Sequence, residues 1–377
     1  MNVQLINFKS DFAWKHYSEK FAVPFELRKF DTFGLLLKET DTLFFTPKFT
    51  ADFFSIENEM LAVGTFEELT GFAYELISEN REFGELAQKV LANYESYDDG
   101  EIEIAMRKFY LNQAHIVGIL NVTPDSFSDG GKFVDKEKAV EHALQMLEEG
   151  AEIIDVGGES TRPGAPSVST EEELERVIPV ISEIKRISRG ALISVDTSKA
   201  EVAEAAIDAG AEIVNDVSAF ADEKILDVVR RRGVAYVLMH MKGTPKDMQE
   251  NPFYEEPVSE IYDFLKTKLD YLNSAGITKV MIDPGVGFGK RVSDNYEIIA
   301  RLDEFKSLGA PIFIGLSRKS FLGKSLGLEI SERENATTVA ETVSVLNGAR
   351  FIRTHNVKNA VQMKNVINFI NYSETTG

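Results

Sequence analysis

Seven times along the chain a helix-like stretch ends in glycine and gives way to a short apolar run: EEGAEIIDV (148–156), SRGALISVD (188–196), DAGAEIVND (208–216), RRGVAYVLM (231–239), SAGITKVMID (274–283), SLGAPIFIG (307–315) and LNGARFIRT (346–354). Glycine closes a helix C-terminus because it adopts the left-handed conformation without a Cβ clash. The runs that follow are rich in Ile, Val and Leu, as strands buried on both faces are. HIVGILNV (115–122) supplies one more, which makes eight strands. A helical stretch follows each, and Thr170 with Glu173 reads as a capping box opening one of them. Eight alternating units over about 260 residues predict an α/β fold, a closed (β/α)8 TIM barrel, with an open doubly wound sheet as the alternative.

Residues 1–110 lack this rhythm. They are rich in phenylalanine and carry a single helical stretch from about Phe66 to Tyr94. The acidic, turn-prone ESYDDGEIE (95–103) reads as a linker. The expected organisation is a small α/β N-terminal domain of unknown role (1–110) before a catalytic barrel (111–377). Trp14 and His16 read as packing or surface residues. The segment shows no acid–base or phosphate motif, so a structural or regulatory role is expected in preference to a second, fused enzyme.

The 377 residues carry a net charge of -20, which repels nucleic-acid backbones and acidic membrane surfaces. No apolar run reaches the roughly 18 to 20 residues that span a bilayer. The N-terminus lacks a basic start and an apolar core, so no secretory signal is expected. With no cysteine, the chain has no disulfide, thiolate metal site or cysteine nucleophile, and it suits a reducing cytoplasm. An anionic small substrate remains possible if a few cations gather in one pocket.

In a barrel of this kind the chemistry sits just past the C-terminal strand ends. Read in turn, the eight ends deliver Asn121 with TPDSFSDGG (123–131), GGESTRPGAP (157–166), Asp196-Thr197, Asn215-Asp216, Met239-His240, Asp283-Pro-Gly with GFGK (287–290), Ser317-Arg318-Lys319-Ser320, and Arg353-Thr354-His355. Each has a bland explanation on its own. Asp196 and Asn215 could cap helices, Asp283-Pro-Gly could be a turn, and Ser-Arg-Lys-Ser a solvated loop. His240 reads as a hydrogen-bonded rim residue, and His115 lies at the wrong end of its strand. The convergence of eight polar ends on one rim is what points to a site.

Taken in order, NVTPDSFSDGG (121–131), ESTRPG (159–164), DTS (196–198), ND (215–216), DPGVGFGK (283–290), SRKS (317–320) and RTH (353–355) resemble the dihydropteroate synthase family over about residues 112–370. The resemblance implies condensation of 6-hydroxymethyl-7,8-dihydropterin pyrophosphate with p-aminobenzoate, releasing pyrophosphate. It also implies the roles. Asp196, Asn215, Asp283 and Lys319 match pterin-binding positions, with Arg353 stacked on the ring and Met239 as a soft wall. Asn121, Thr161, Arg162, Arg353 and His355 are the pyrophosphate candidates. Mg²⁺ is expected to bridge phosphate oxygens, with Asn121, Asp125 and Asp129 as protein ligands. Phe127, Pro163, Phe288, Lys319 and Ser320 match positions that contact p-aminobenzoate, so sulfonamides that mimic it are expected to bind. Asp283, Lys319 and Arg353 are the expected catalytic residues.

A homodimer is expected from the family's dimers. Two rivals share the scaffold: a pterin-dependent corrinoid methyltransferase, which would not need TPDSFSDGG or SRKS, and a catalytically silent pterin-binding protein, which would have no reason to keep the phosphate cations.

Overall fold

The computed structural model describes residues 1–29, 31–40, 51–123, 132–160, 167–244 and 247–371. The N-terminal part opens with strand β1 (Asn2–Asn7), helix α1 (Asp11–Phe21) and strands β2 (Phe33–Lys38), β3 (Asp52–Ile56) and β4 (Glu59–Gly64). The strands form one antiparallel sheet in the order β1-β2-β4-β3. Its central strands are apolar at successive positions because both faces are covered, and side chains alternate between the faces. Ile6, Leu36, Leu61 and Val63 pack under Trp14, Tyr17 and Phe21 of α1. Leu5, Leu35, Leu37 and Ala62 pack on the other face against Phe72, Leu76, Phe83 and Val90.

Those last four belong to two helices, α2 (Phe66–Glu79) and α3 (Arg81–Glu95), where the sequence predicts one. Asn80 makes the break. Its backbone is extended, and its side chain accepts a hydrogen bond from Phe83 N as the N-cap of α3. The expected linker is also structured. It forms a 3₁₀ turn (Tyr97–Asp99) and strand β5 (Glu101–Ile104), which pairs with β6 (Arg107–Tyr110). Ile102, Ile104 and Phe109 of this hairpin join the barrel core. Tyr97 OH donates to Gly348 O and accepts from Ile312 N at the base of two barrel strands.

The barrel runs β7 (His115–Asn121), α4 (Lys132–Glu148), β8 (Ile153–Gly157), α5 (Thr170–Ile187), β9 (Leu192–Asp196), α6 (Ala200–Asp208), β10 (Ile213–Asp216) and α7 (Lys224–Arg232). It continues with β11 (Ala235–Met239), α8 (Pro257–Ser274), β12 (Val280–Asp283), α9 (Val292–Ala300), β13 (Ile312–Gly315), α10 (Ser320–Leu326), α11 (Glu334–Leu346), β14 (Ala349–Thr354) and α12 (Val357–Asn371). Seven of the eight strands fall inside the predicted runs, and β8 extends one residue past its run, to Gly157. Parallel pairing of β14 with β7 closes the barrel, which rules out the open sheet. Ser169, not Thr170, caps α5, accepting from Glu172 N, while Glu173 is buried and paired with Lys199.

The N-terminal sheet docks on the barrel wall through its β1 edge. Gln4 Oε1 accepts from Ser259 Oγ at 2.7 Å, Asn7 N donates to Glu304 at 2.7 Å, and Ser10 Oγ donates to Glu297 at 2.6 Å. Beneath this seam lies Arg301, fully buried and bonded to Glu256, Glu297 and Glu304. Burial pushes the Glu304 carboxyl up to about 8 although Arg301 pulls it down.

Candidate active site

Parallel register brings the polar strand ends to one level: Gly157 pairs with Asp196, Asp196 with Asn215, Met239 with Asp283, and Gly315 with Arg353. Long-range bonds then cross the barrel mouth. Arg353 donates through Nε to Asp155 at 2.6 Å and through Nη2 to Asp196 at 2.7 Å. Asn215 Nδ2 donates to the same Asp155 oxygen at 3.0 Å. The neighbouring Asp216 faces the other side of its strand, where Tyr236 OH, Phe220 N and Ser218 saturate it. Alternation along a strand therefore splits the Asn-Asp pair into one rim residue and one structural residue.

Asp155 was missed by reading only the residues that follow each strand. It lies within β8, is fully buried, and its Oδ1 has no partner among the described residues. The signal was present: it is the one charged residue in the otherwise apolar IIDVG.

The opposite side of the mouth holds Asp283 and Lys319. Burial raises the Asp283 pKa, and Lys319, the Gly285 N–H and more distant cations pull it back. Burial lowers Lys319 to about 8, while Asp283 and Asp196 raise it and Arg353 lowers it further. Asp196, Asp283, Lys319 and Arg353 thus lie close enough at the strand ends to act on one another's charge. Lys319 also donates to Val286 O and lies 4.3 Å over the Phe288 ring. Arg318, at φ 57, takes the left-handed conformation that is costly for a non-glycine residue. Its exposed side chain pairs with Glu334, while Lys319 turns inward. Ser317 Oγ holds His355 Nδ1 at 2.9 Å.

Glycine is indispensable in the Asp283–Lys290 loop at two points. A Cβ on Gly285 would lie 1.8 Å from His240 O, and one on Gly289 would lie 2.1 Å from Lys242 O. The loop is laid directly on the β11 rim segment. Buried Lys290 pins the two together, with Nζ at 3.0 Å from His240 Nδ1 and 2.8 Å from Gly285 O. Burial drives the pKa of Lys290 and of His240 well down, so the contact is structural. A cavity of about 390 Å³ opens beside this loop, bounded by Gly287 and Ser320 on one side and by Gln249 and Phe253 on the other.

Of the remaining expected residues, Met239 is buried in the rim, Asn121 and Phe288 are half-buried, and Ser320 is exposed at the start of α10. Asp125, Phe127, Asp129, Thr161, Arg162 and Pro163 lie outside the described residues. No group of three or more acidic or histidine side chains poised for a metal occurs among the described residues. Asn121 Oδ1 lies 3.8 Å from where a Gly157 Cβ would sit, and that point is 3.6 Å from an Asp196 oxygen, so the two side chains flank Gly157 at this edge.

Residues 117–355 match the family described as pterin binding enzyme. The dihydropteroate synthase of Escherichia coli (strain K12) is 45% identical over 259 residues, covering 68% of this chain and 92% of that protein. The dihydropteroate synthase of Yersinia pestis, solved with a sulfonamide drug complex, superposes with a TM-score of 0.68 at 38% identity, over 72% of this chain and 99% of the other. That of Xanthomonas albilineans with 4-aminobenzoic acid gives 0.68 at 41% identity, over 72% and 98%.

Proposed function

The chain belongs to the pterin-binding enzymes and is a dihydropteroate synthase, a transferase, and from that premise we propose how its residues divide the work. The reaction joins the p-aminobenzoate nitrogen to the pterin methylene carbon as the C–O bond to pyrophosphate breaks and the amine gives up a proton. The arylamine is neutral at pH 7 and attacks unaided. The difficult step is departure of pyrophosphate, so the transition state is cation-like at the methylene.

Asp196, Asn215 and Asp283 hold the guanidine-like and amide edges of the pterin. Lys319 donates to its acceptors, Met239 walls it, and Arg353 stacks on it. Asp155 keeps the Arg353 guanidinium oriented through Nε when Asp196 turns to the pterin. Fixed charges aimed at a developing cation and a departing anion are electrostatic preorganisation, commonly the largest catalytic contribution. Asn121, Thr161, Arg162, Arg353 and His355 receive the pyrophosphate. Phe127, Pro163, Phe288, Lys319 and Ser320 receive p-aminobenzoate, and sulfonamides compete there. The observation that carries this reading is the single rim on which Asp155, Asp196 and Arg353 bond to one another while Asp283 and Lys319 shift each other's charge.

Magnesium takes oxygen ligands and completes its shell from substrate phosphates. The amide oxygen of the half-buried Asn121 at the strand end, with the carboxylates of Asp125 and Asp129, fits that chemistry. When bound, the ion supplies charge neutralisation on the pyrophosphate. The catalytic unit is assigned to 111–377, with the hairpin of β5 and β6 built into its base. Exposed Val339, Val343 and Leu346 on α11 and Val366, Phe369 and Ile370 on α12 support a homodimer. Absence of cysteine supports a cytoplasmic location. Among the described residues no helix is long and apolar enough to cross a membrane.

Asp283→Ala and Lys319→Ala should each lower turnover by about two to three orders of magnitude, as loss of a single preorganised charge does, with unchanged circular dichroism. Near-normal turnover in either purified variant removes that residue from the mechanism.

A further inference from the structure

The family match begins at residue 117, so the N-terminal sheet and its helices lie outside it. Besides bonds to Glu297, Asp303, Glu304 and Ser307, their contacts with the barrel gather at the start of α8. Ser259, in its first turn, is buried and donates through Oγ to Gln4 on β1. Lys38 on β2 donates to that hydroxyl at 2.9 Å and to Asp263 one turn on. Ser259 N is capped by Glu256, whose other oxygen is bound by the buried Arg301.

The residues just before that anchor form the outer wall of the cavity beside the Asp283–Lys290 loop. Tyr254 OH donates to Gly289 O at 2.9 Å, and Tyr254 O accepts from Arg291 at 2.8 Å. Gln249 donates to Gly287 O at 3.1 Å. Between them Asn251 sits at φ 50, the left-handed conformation that asparagine tolerates in a turn. One flank is fixed by the glycine loop. The other is fixed at Glu256–Ser259, where the N-terminal sheet grips.

We infer that Gln4 and Lys38 are positioning residues: the N-terminal domain braces the 247–256 wall and thereby sets the fit of the aromatic amine against Phe288, Lys319 and Ser320. The inference rests on the amine site proposed above. Part of the pterin clamp, Asp196, Asn215 and Arg353 with Asp155 behind it, lies across the mouth on β8, β9, β10 and β14, whereas Met239, Asp283 and Lys319 lie on the side of the wall. The brace therefore acts on the amine more than on the pterin.

The test uses the full-length chain carrying Gln4→Ala with Lys38→Met, and Lys38→Arg as the conservative control. In the ligand-free protein, hydrogen exchange across 247–256 should quicken by about fivefold, the factor that one net hydrogen bond represents. KM for p-aminobenzoate should rise by a similar factor, and by more than KM for the pterin pyrophosphate, while kcat holds, and Lys38→Arg should retain wild-type behaviour. Unchanged exchange in 247–256 overturns the brace, as does faster exchange spread evenly through the barrel. Faster exchange in 247–256 with an unaltered KM for the amine also overturns it. If wild-type protein turned over no p-aminobenzoate, the functional reading would fail while the exchange measurement still decided the brace.

Discussion

Two arginines in this molecule are buried among carboxylates, and they have opposite meanings. Arg301 is 0% exposed and is shared by Glu256, Glu297 and Glu304. Four donations from its guanidinium go to these carboxylates. Arg353 keeps 20% of its side chain exposed, bonds Asp155 and Asp196, and looks across an open mouth at Asp283 and Lys319. Burial opposes both positive charges and neighbouring carboxylates sustain both. What separates a lock from a site is therefore not the buried charge. It is whether the cluster keeps some exposure, as Arg353 does, with polar capacity left over behind it, as at the orphaned Oδ1 of the buried Asp155.

The comparison breaks most visibly at Arg353. Arg353→Met should lower kcat/KM by about a thousandfold, on the order of 4 kcal/mol of transition-state stabilisation. Its cost in urea denaturation should be smaller than that of Arg301→Met, because water at the open mouth and a proton can relieve Asp155 and Asp196. Activity within tenfold of wild type would make Arg353 a structural residue like its counterpart.

Arg301→Met is the mirror experiment. Removing one partner of a buried ionic cluster costs roughly 3–5 kcal/mol, because the carboxylates left behind are desolvated without compensation. Urea midpoints measure this, and kcat of the fraction still folded at low temperature should stay close to wild type. A folded Arg301→Met protein with no turnover would erase the distinction.

Legibility in the sequence follows the same line. The eight strands could be read because each is a local event, a glycine stop followed by a doubly buried apolar run. Met239, Asp283, Lys319 and Arg353 could be read because strand ends and barrel topology fix where they go. The break at Asn80 could not, since helical periodicity continues through it and only the crossing of α2 on α3 demands a turn. There a Cβ on Gly84 would lie 2.5 Å from the Ile77 backbone. The Arg301 cluster was equally hidden. Glu297 and Glu304 lie only four and three residues from Arg301 and read as ordinary charged-surface pairs until the distant Glu256 joins them and β1 covers the cluster.

Lys319 sharpens the comparison through pH. Held at about 8 by burial, it loses its proton on the alkaline side of neutrality in the ligand-free enzyme. kcat/KM reports free-enzyme ionisations, so it should fall above pH 8 by up to about tenfold per unit. Stability moves the other way. With a folded pKa near 8 and an ordinary value of 10.5, the unfolded chain binds more protons between them. The contribution of Lys319 to stability therefore grows as pH rises from 8 toward 10.5. Activity lost in parallel with the fold, measured by circular dichroism at each pH, would assign the alkaline limb to unfolding.

The smallest effect lies at Glu341, a third kind of buried charge, with no cation beside it. It is 1% exposed on α11, has a hydrogen bond with Thr354, and leaves Oε1 unpartnered. Burial pushes it up to about 8 from an ordinary 4.5. The folded chain thus holds a proton that the unfolded chain has released, and the advantage, complete below pH 4.5, is eroded as pH rises to 8. Glu341→Gln keeps the shape and removes the ionisation. It should be neutral at pH 5 and raise Tm by roughly 2–4 °C at pH 8.5, the shift about 1 kcal/mol gives a domain of this size. A lower Tm at pH 8.5, or a gain at pH 5 as well, would mean that Glu341 is ionised and paired in the fold, and that an unaccompanied carboxyl is not what α11 buries against β14.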